Sequence, residues 1–289
     1  MNAKVEATKT QSNGLGRIPV IVRAIVAGIL IGMIAANVWP ILLLKLGMPL
    51  AAVLEAVFLA GYIWWARGNG PPQRWQAARA DSFRVGDLTG AQWFWGLVAA
   101  VFFAATIHAA IVVLFRLMPY PAASFHRGYD FSFIHTVQLR WVAVLMSAAS
   151  AGICEETGFR GYMQRPIEHR HGAVIAILAS SILFTAIHLT KDWALIGMVP
   201  IILGAGILLG VLARISRTLI FCIVGHTIMD VGLFAYWWTQ IAGTFSQRPI
   251  SETGFDANFA IECSALLAVL IVTILAIEKL RAIRPRLPY

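Results

Sequence analysis

Long apolar stretches separated by short polar connectors dominate the chain. Eight runs stand out: Val20–Leu44, Pro49–Ala66, Gln92–Leu117, Leu139–Tyr162, Gly172–Leu189, Ala194–Ala213, Thr218–Gln240 and Phe259–Ile277. About 20 apolar residues, at a rise of about 1.5 Å each, carry a helix across a bilayer. The runs are continuous and do not alternate with period two, which argues against a spanning β-barrel. The pattern predicts an all-α protein, a polytopic transmembrane helix bundle of about eight spans. The first run follows a polar stretch, Met1–Gly16, and is far longer than a signal-peptide core, so it is expected to stay as an anchor. The connections Arg67–Ala91 and Met118–Gln138 are short enough to be loops or helices lying on the membrane.

Composition sharpens this. Of 289 residues, 59% are hydrophobic and only 13% charged, with a mean hydropathy of +0.74; soluble domains carry about 25% charged residues. Disorder, collagen and a nucleic-acid-binding tail are excluded, and three cysteines cannot build a disulfide scaffold. The net charge of +9 is therefore read as topology. With eight spans and both termini on one side, that side takes seventeen of the 23 basic residues, Lys4, Lys9, Arg17, Arg284 and Arg286 among them. The positive-inside rule then places both termini in the cytoplasm of a multi-pass protein of the cell (inner) membrane. Three regions follow: an N-terminal membrane region over 1–138, a core over 139–240, and a last span with a basic tail over 241–289. No internal repeat is evident, which weakens a transporter reading. Gly206 and Gly210 form a GxxxG, the mark of close helix packing.

A charged residue at the centre of a span costs about 2.5–3.5 kcal/mol, so each is a candidate for function. Arg23 and Glu262 lie near span ends and can reach the interface. Asn37, Glu55 and His108 are isolated and read as inter-helix hydrogen bonds. Three other groups are not isolated. The fourth run carries Glu155, Glu156 and Arg160; the fifth carries Phe184 and His188; the seventh carries His226 and Asp230. Residues four apart share a helix face, which pairs Glu156 with Arg160, Phe184 with His188 and His226 with Asp230. Counted from the span ends, all three helices can bring these groups together inside the bilayer.

A carboxyl in an apolar pocket can act as a base near neutrality, and a neighbouring histidine can share its proton work or bind a metal. Arg160 would fix Glu156 as a carboxylate. His226 and Asp230 could stabilise an oxyanion, with Asp230 holding the imidazole tautomer. Water attack on an amide fits these parts best. Rival protease designs are missing: there is no His-Glu-x-x-His or Gly-x-Ser-x-Gly, and Glu168-His169-Arg170-His171 has the wrong order and is expected in a loop. Cys154 reads as apolar filler.

These residues resemble the CPBP (CAAX protease and bacteriocin-processing, or Abi) family of intramembrane proteases. Its motifs Glu-Glu-x-x-x-Arg, Phe-x-x-x-His and His-x-x-x-Asn/Asp stand here as Glu155 to Arg160, Phe184 to His188 and His226 to Asp230, in order, across Trp141–Gln240. The resemblance implies an intramembrane endopeptidase with Glu155 and His188 as the water-activating pair and Glu156 held by Arg160. His226 and Asp230 become oxyanion or supporting groups, and Phe184 a substrate-contacting candidate. It also leaves two mechanisms open: Glu155, His188 and His226 as ligands of Zn²⁺ or another divalent metal, or a metal-free glutamate base. The Asp at 230, where prenyl-processing members often carry Asn, counts against hydrogen-bond donation from that position unless it is protonated. Expected partners are the lipid bilayer and a membrane-associated or lipidated protein or peptide, with no nucleic acid. Ala, Arg and Trp usage suggests a bacterial protein, for which a pheromone, bacteriocin precursor or membrane-anchored protein fits better than a prenylated one. The competing readings are a catalytically idle scaffold or self-immunity protein, and a proton-coupled transporter.

Overall fold

The computed structural model describes residues 18–195 and 197–283, and within them the only regular structure is helical. The chain runs α1 (Val20–Ala36), α2 (Val38–Leu46), α3 (Leu50–Ala66), α4 (Gln76–Phe83), α5 (Gly90–Leu117), α6 (Ala122–Gly128) and α7 (Val137–Glu156). A π-helical segment, Thr157–Met163, joins α7 to α8 (Gln164–His171). Then come α9 (Ala173–His188), α10 (Asp192–Leu195), α11 (Val199–Ser216) and α12 (Ile220–Gly232). A second π segment (Leu233–Trp238), α13 (Ile250–Thr253) and α14 (Ala257–Ala282) complete the chain. Lys4, Lys9, Arg17, Arg284 and Arg286, used above for orientation, lie outside the described residues.

Among the described residues six rods are long and apolar enough to cross a membrane: Val20–Leu46, Gly90–Leu117, Val137–His171, Val199–Ser216, Ile220–Trp238 and Ala257–Ala282. Leu50–Ala66 and Ala173–His188 are apolar but shorter. Together these helices correspond to the eight apolar runs, and the chain is a multi-pass membrane protein. Their outward faces are apolar at helical spacing, as Val22, Val26, Leu30 and Ile34 on α1 illustrate.

Inside, small residues let the backbones approach. Ala24, Gly28 and Gly32 face inward on α1. A Cβ added at Gly28 would lie 2.8 Å from the Gly158 carbonyl oxygen, so α1 crosses the first π segment almost backbone to backbone. Gly206 packs as closely on Ser181 of α9, as its GxxxG suggested. α5 starts two residues before the sequence estimate because Thr89 and Gln92 form a capping box.

Several polar residues depart from expectation. Residues 168–171, expected in a loop, are helical, as part of α8. Gln164 Nε2 donates to Glu168 Oε1 (2.7 Å), and Arg84 pairs with the same carboxylate at 3.0 Å. Pro166 sits in the first turn of α8, directly after the π segment, within one continuous rod. Asn37 bonds its own helix, donating to the Met33 carbonyl at 2.7 Å. Glu262 does not reach for the interface: Arg116 takes it at 3.2 Å and Asp256 at 2.7 Å. Glu55 is fully buried and neither oxygen has a hydrogen-bond partner among the described residues. Only His108 behaves as an inter-helix bridge, its Nε2 donating to the Met229 carbonyl (3.0 Å) and its Nδ1 accepting from Trp237 Nε1 (3.3 Å).

Candidate active site

Four helical rods carry the site. α7 ends on Glu155 and Glu156, and the π segment after it widens the turn that holds Arg160. Single π turns inside α-helices recur at functional positions because they redirect side chains without breaking the rod. Arg160 Nη1 donates to Glu156 Oε1 at 3.0 Å, with both side chains fully buried. Its Nη2 reaches the Gly206 carbonyl on α11 (3.2 Å), and its guanidinium lies 4.6 Å from the centroid of the Phe184 ring. The expected Glu156–Arg160 pair is therefore present and anchored on two further helices.

α9 presents Phe184 and His188. The His188 Nδ1 lies 2.8 Å from the Phe184 carbonyl, which can only accept, so Nδ1 carries a proton and Nε2 is the free nitrogen. The Phe184 ring stands 4.7 Å from the His188 ring, 6.0 Å from His226 and 5.2 Å from Phe159. It is the shared wall of all three motifs.

α12 presents His226 and Asp230. The His226 Nδ1 donates to Glu156 Oε1 at 2.7 Å, which leaves Nε2 3.5 Å from Asp230 Oδ2 and 4.0 Å from Glu155 Oε2. The short bond that orients this ring comes from Glu156; Asp230, expected to hold the tautomer, stands further off. Glu155 Oε2 is buried without a hydrogen-bond partner among the described residues.

Glu155, Phe184, His188, His226 and Asp230 line one cavity. Its walls are mostly apolar, from Ile107 and Ile111 on α5 to Met198, Ile202 and Leu233. Glu156 and Arg160 sit behind it. Cys154, adjacent in sequence, points away into a cluster with Ala35 and Leu59, as apolar filler should. Sequence reasoning missed Lys191. It follows His188 by one turn, its backbone N–H donating to the His188 carbonyl (3.0 Å), and its ammonium enters the same cavity. Lys191 Nζ lies 2.9 Å from the Tyr129 hydroxyl and 5.8 Å from the Trp193 ring, with no carboxylate within ion-pair distance among the described residues. Burial opposes its charge, but Tyr129, Glu155 and Asp230 together hold its pKa above the ordinary value. The available signal was a lysine just past a span end, three residues after a motif histidine.

Residues 136–232 match the family model described as Type II CAAX prenyl endopeptidase Rce1-like. Over this segment the chain is similar to the Rce1-like members of the CPBP family. No curated protein and no solved structure matches the chain. The matched segment spans α7 to α12 and holds all three motifs, so the likeness to an endopeptidase family falls on the part of the chain that builds this cavity. The family's mechanistic alternatives include a metal. Among the described residues no three His, Cys, Asp or Glu side chains are grouped to hold one, and Glu155, His188 and His226 do not form a ligand set as placed.

Proposed function

We propose that the protein is an intramembrane endopeptidase that hydrolyses a peptide bond of a membrane-associated or lipidated protein or peptide, using Glu155 and His188 to activate water. One observation carries the reading: Glu155, His188, His226 and Asp230 converge on a single largely apolar cavity backed by the buried Glu156–Arg160 pair. Clustered ionisable groups are costly inside a membrane and are retained where they do chemistry.

The steps use side chains alone. Glu155 accepts a proton from water, with the free Nε2 of His188 orienting that water, as the water oxygen bonds to the carbonyl carbon. The carbonyl electron pair moves onto oxygen. That oxyanion accepts from the Nε2–H of His226, acting as an imidazolium whose Nδ1–H is bonded to Glu156, and from the Lys191 ammonium. On collapse the C–N bond breaks, and Glu155 returns its proton to the departing amine. Asp230, close to His226 Nε2, keeps that nitrogen turned into the cavity. Phe184 forms the apolar wall against which a substrate side chain packs. The setting we infer is a bacterial cell membrane with both termini in the cytoplasm.

The test is cleavage of a peptide library by purified protein against Glu155→Gln. The variant should fold normally and lose turnover by about 10²–10⁴-fold, the range expected for a lost general base. Unchanged cleavage by Glu155→Gln would end this assignment.

A further inference from the structure

We propose that the catalytic cavity is entered from the membrane face opposite the cytoplasm, so the bonds it cleaves lie in peptide segments presented on the extracytoplasmic side. The inference rests on the peptidase reading for what happens in the cavity, but its geometry stands apart from that reading.

The helices alternate in direction, which sorts their ends into two sets. One set gathers the ends at Ala66, Gly90, His171, Ser216, Ile220 and Ala282; the other gathers those at Leu46, Leu117, Val137, His188, Val199 and Trp238. The first set is the basic one, with Arg74, Arg84 and Arg217 in its connectors, Arg165 and Arg170 on α8, Arg214 in the last turn of α11, and Lys279 and Arg281 at the end of α14. The second set has fewer cations, and one of them, Arg116, is matched by Asp256 and Glu262. Orientation follows Lys and Arg in short connectors, which puts the first set in the cytoplasm.

The cavity belongs to the other set. Tyr129, Lys191, Trp193 and Trp238 line it, and all four lie in connectors or helix ends on the second face. A more open cavity adjoins it there, sharing Tyr129 and Trp238. Arg127, Asp130, Ser132 and Gln240 line that outer chamber and are exposed. Toward the basic face the way is packed shut. Beyond Glu155 the same rod presents Phe159, Arg160 and Gln164, each fully buried. The cavity at the basic end, lined by Arg84, Arg165 and Arg214, shares no residue with the catalytic one. A substrate that fits is amphiphilic: a polar segment in the outer chamber and an apolar side chain against Phe184 and Trp193.

The experiment reads sidedness in intact cells expressing the full chain with Cys263→Ala; Cys154 and Cys222 are buried. Ser132→Cys marks the outer chamber. Gly86→Cys marks the basic end, where an added Cβ meets nothing within 4 Å. A membrane-impermeant maleimide should label Ser132→Cys before permeabilisation and Gly86→Cys only after it. The reverse pattern, or both positions labelled before permeabilisation, overturns the proposal. In parallel, right-side-out vesicles should cleave an externally added peptide library and inverted vesicles should not. Cleavage confined to inverted vesicles also overturns it. The expected labelling with no cleavage in either preparation supports the sidedness and defeats the peptidase reading instead.

Discussion

Replacing Arg160 with methionine removes the guanidinium bonded to Glu156, and the structure sets out what is lost. The pair is 3.0 Å long between two fully buried side chains. The same guanidinium also satisfies the Gly206 carbonyl at 3.2 Å and covers the face of Phe184 at 4.6 Å. Water cannot take over these roles where neither partner is exposed. Breaking a buried pair by removing one partner costs about 3–5 kcal/mol, because the remaining charge is stranded. At about 1.4 kcal/mol per factor of ten, the unfolded fraction should rise by roughly 10²–10⁴-fold. The assay is unfolding of the purified protein in detergent, with Glu156→Gln and the double variant completing a cycle. If the stranded carboxylate is the main cost, the double variant should be clearly more stable than the sum of the two single losses. An Arg160→Met protein as stable as the original would refute the pair as a structural element. So would strict additivity in the cycle, since contacting residues typically couple by about 0.5–3 kcal/mol.

Three further outcomes follow from the same geometry. Lys191→Met should lower kcat by about 10²–10³-fold with KM little changed, as expected for a lost oxyanion partner, and Lys191→Arg should recover part of it; a raised KM at constant kcat would make Lys191 a substrate anchor instead. Gly158→Ala would put a Cβ 2.6 Å from the Gly28 carbonyl oxygen and 2.7 Å from the Gly32 Cα, backbone that cannot step aside locally. Such overpacking costs about 1–3 kcal/mol, so its unfolding midpoint should fall while a Gly61→Ala control, with open space around it, should not. With Glu155 as the base, chelation should leave peptide cleavage unchanged; activity lost to the chelator and restored by zinc would move Glu155, His188 and His226 into a metal site and displace Glu155 as the base.

The helices were legible because a bilayer leaves little choice. Every backbone donor and acceptor must be satisfied within its own segment, so an apolar run of sufficient length can only be a helix. What hydropathy could not show is where a polar stretch continues a rod. Residues 164–171 look like a loop in composition, yet Gln164, Glu168 and Arg84 satisfy one another on the inner side of α8. Their partners come from α4 and α11, and the latter contributes the Gly210 carbonyl at 2.9 Å. A tertiary arrangement of that kind leaves no periodic trace in a single segment. The same holds for Glu262, whose charge near a span end is consumed by Arg116 more than a hundred residues away.

The site was legible to the extent that its contacts are local. Glu156 with Arg160 and Phe184 with His188 are four residues apart on one rod, and spacing alone finds such pairs. The contacts that join the rods are of another kind. His226 is oriented by Glu156 across seventy positions, and this bond decides that Nε2 rather than Nδ1 faces the cavity. Spacing favoured Asp230 because it shares the helix, but on that face the carboxylate lies only 3.5 Å from Nε2 and leaves Nδ1 to Glu156. Lys191 is the harder case. Its charge sits just past the end of α9, where sequence assigns it to solvent or headgroups. Tyr129, brought in from the α6–α7 connection, instead holds it in the cavity. Three carboxylates and a single paired arginine would leave the site short of positive charge when an oxyanion forms. A cation contributed by a connector meets that need without placing another charge within a span.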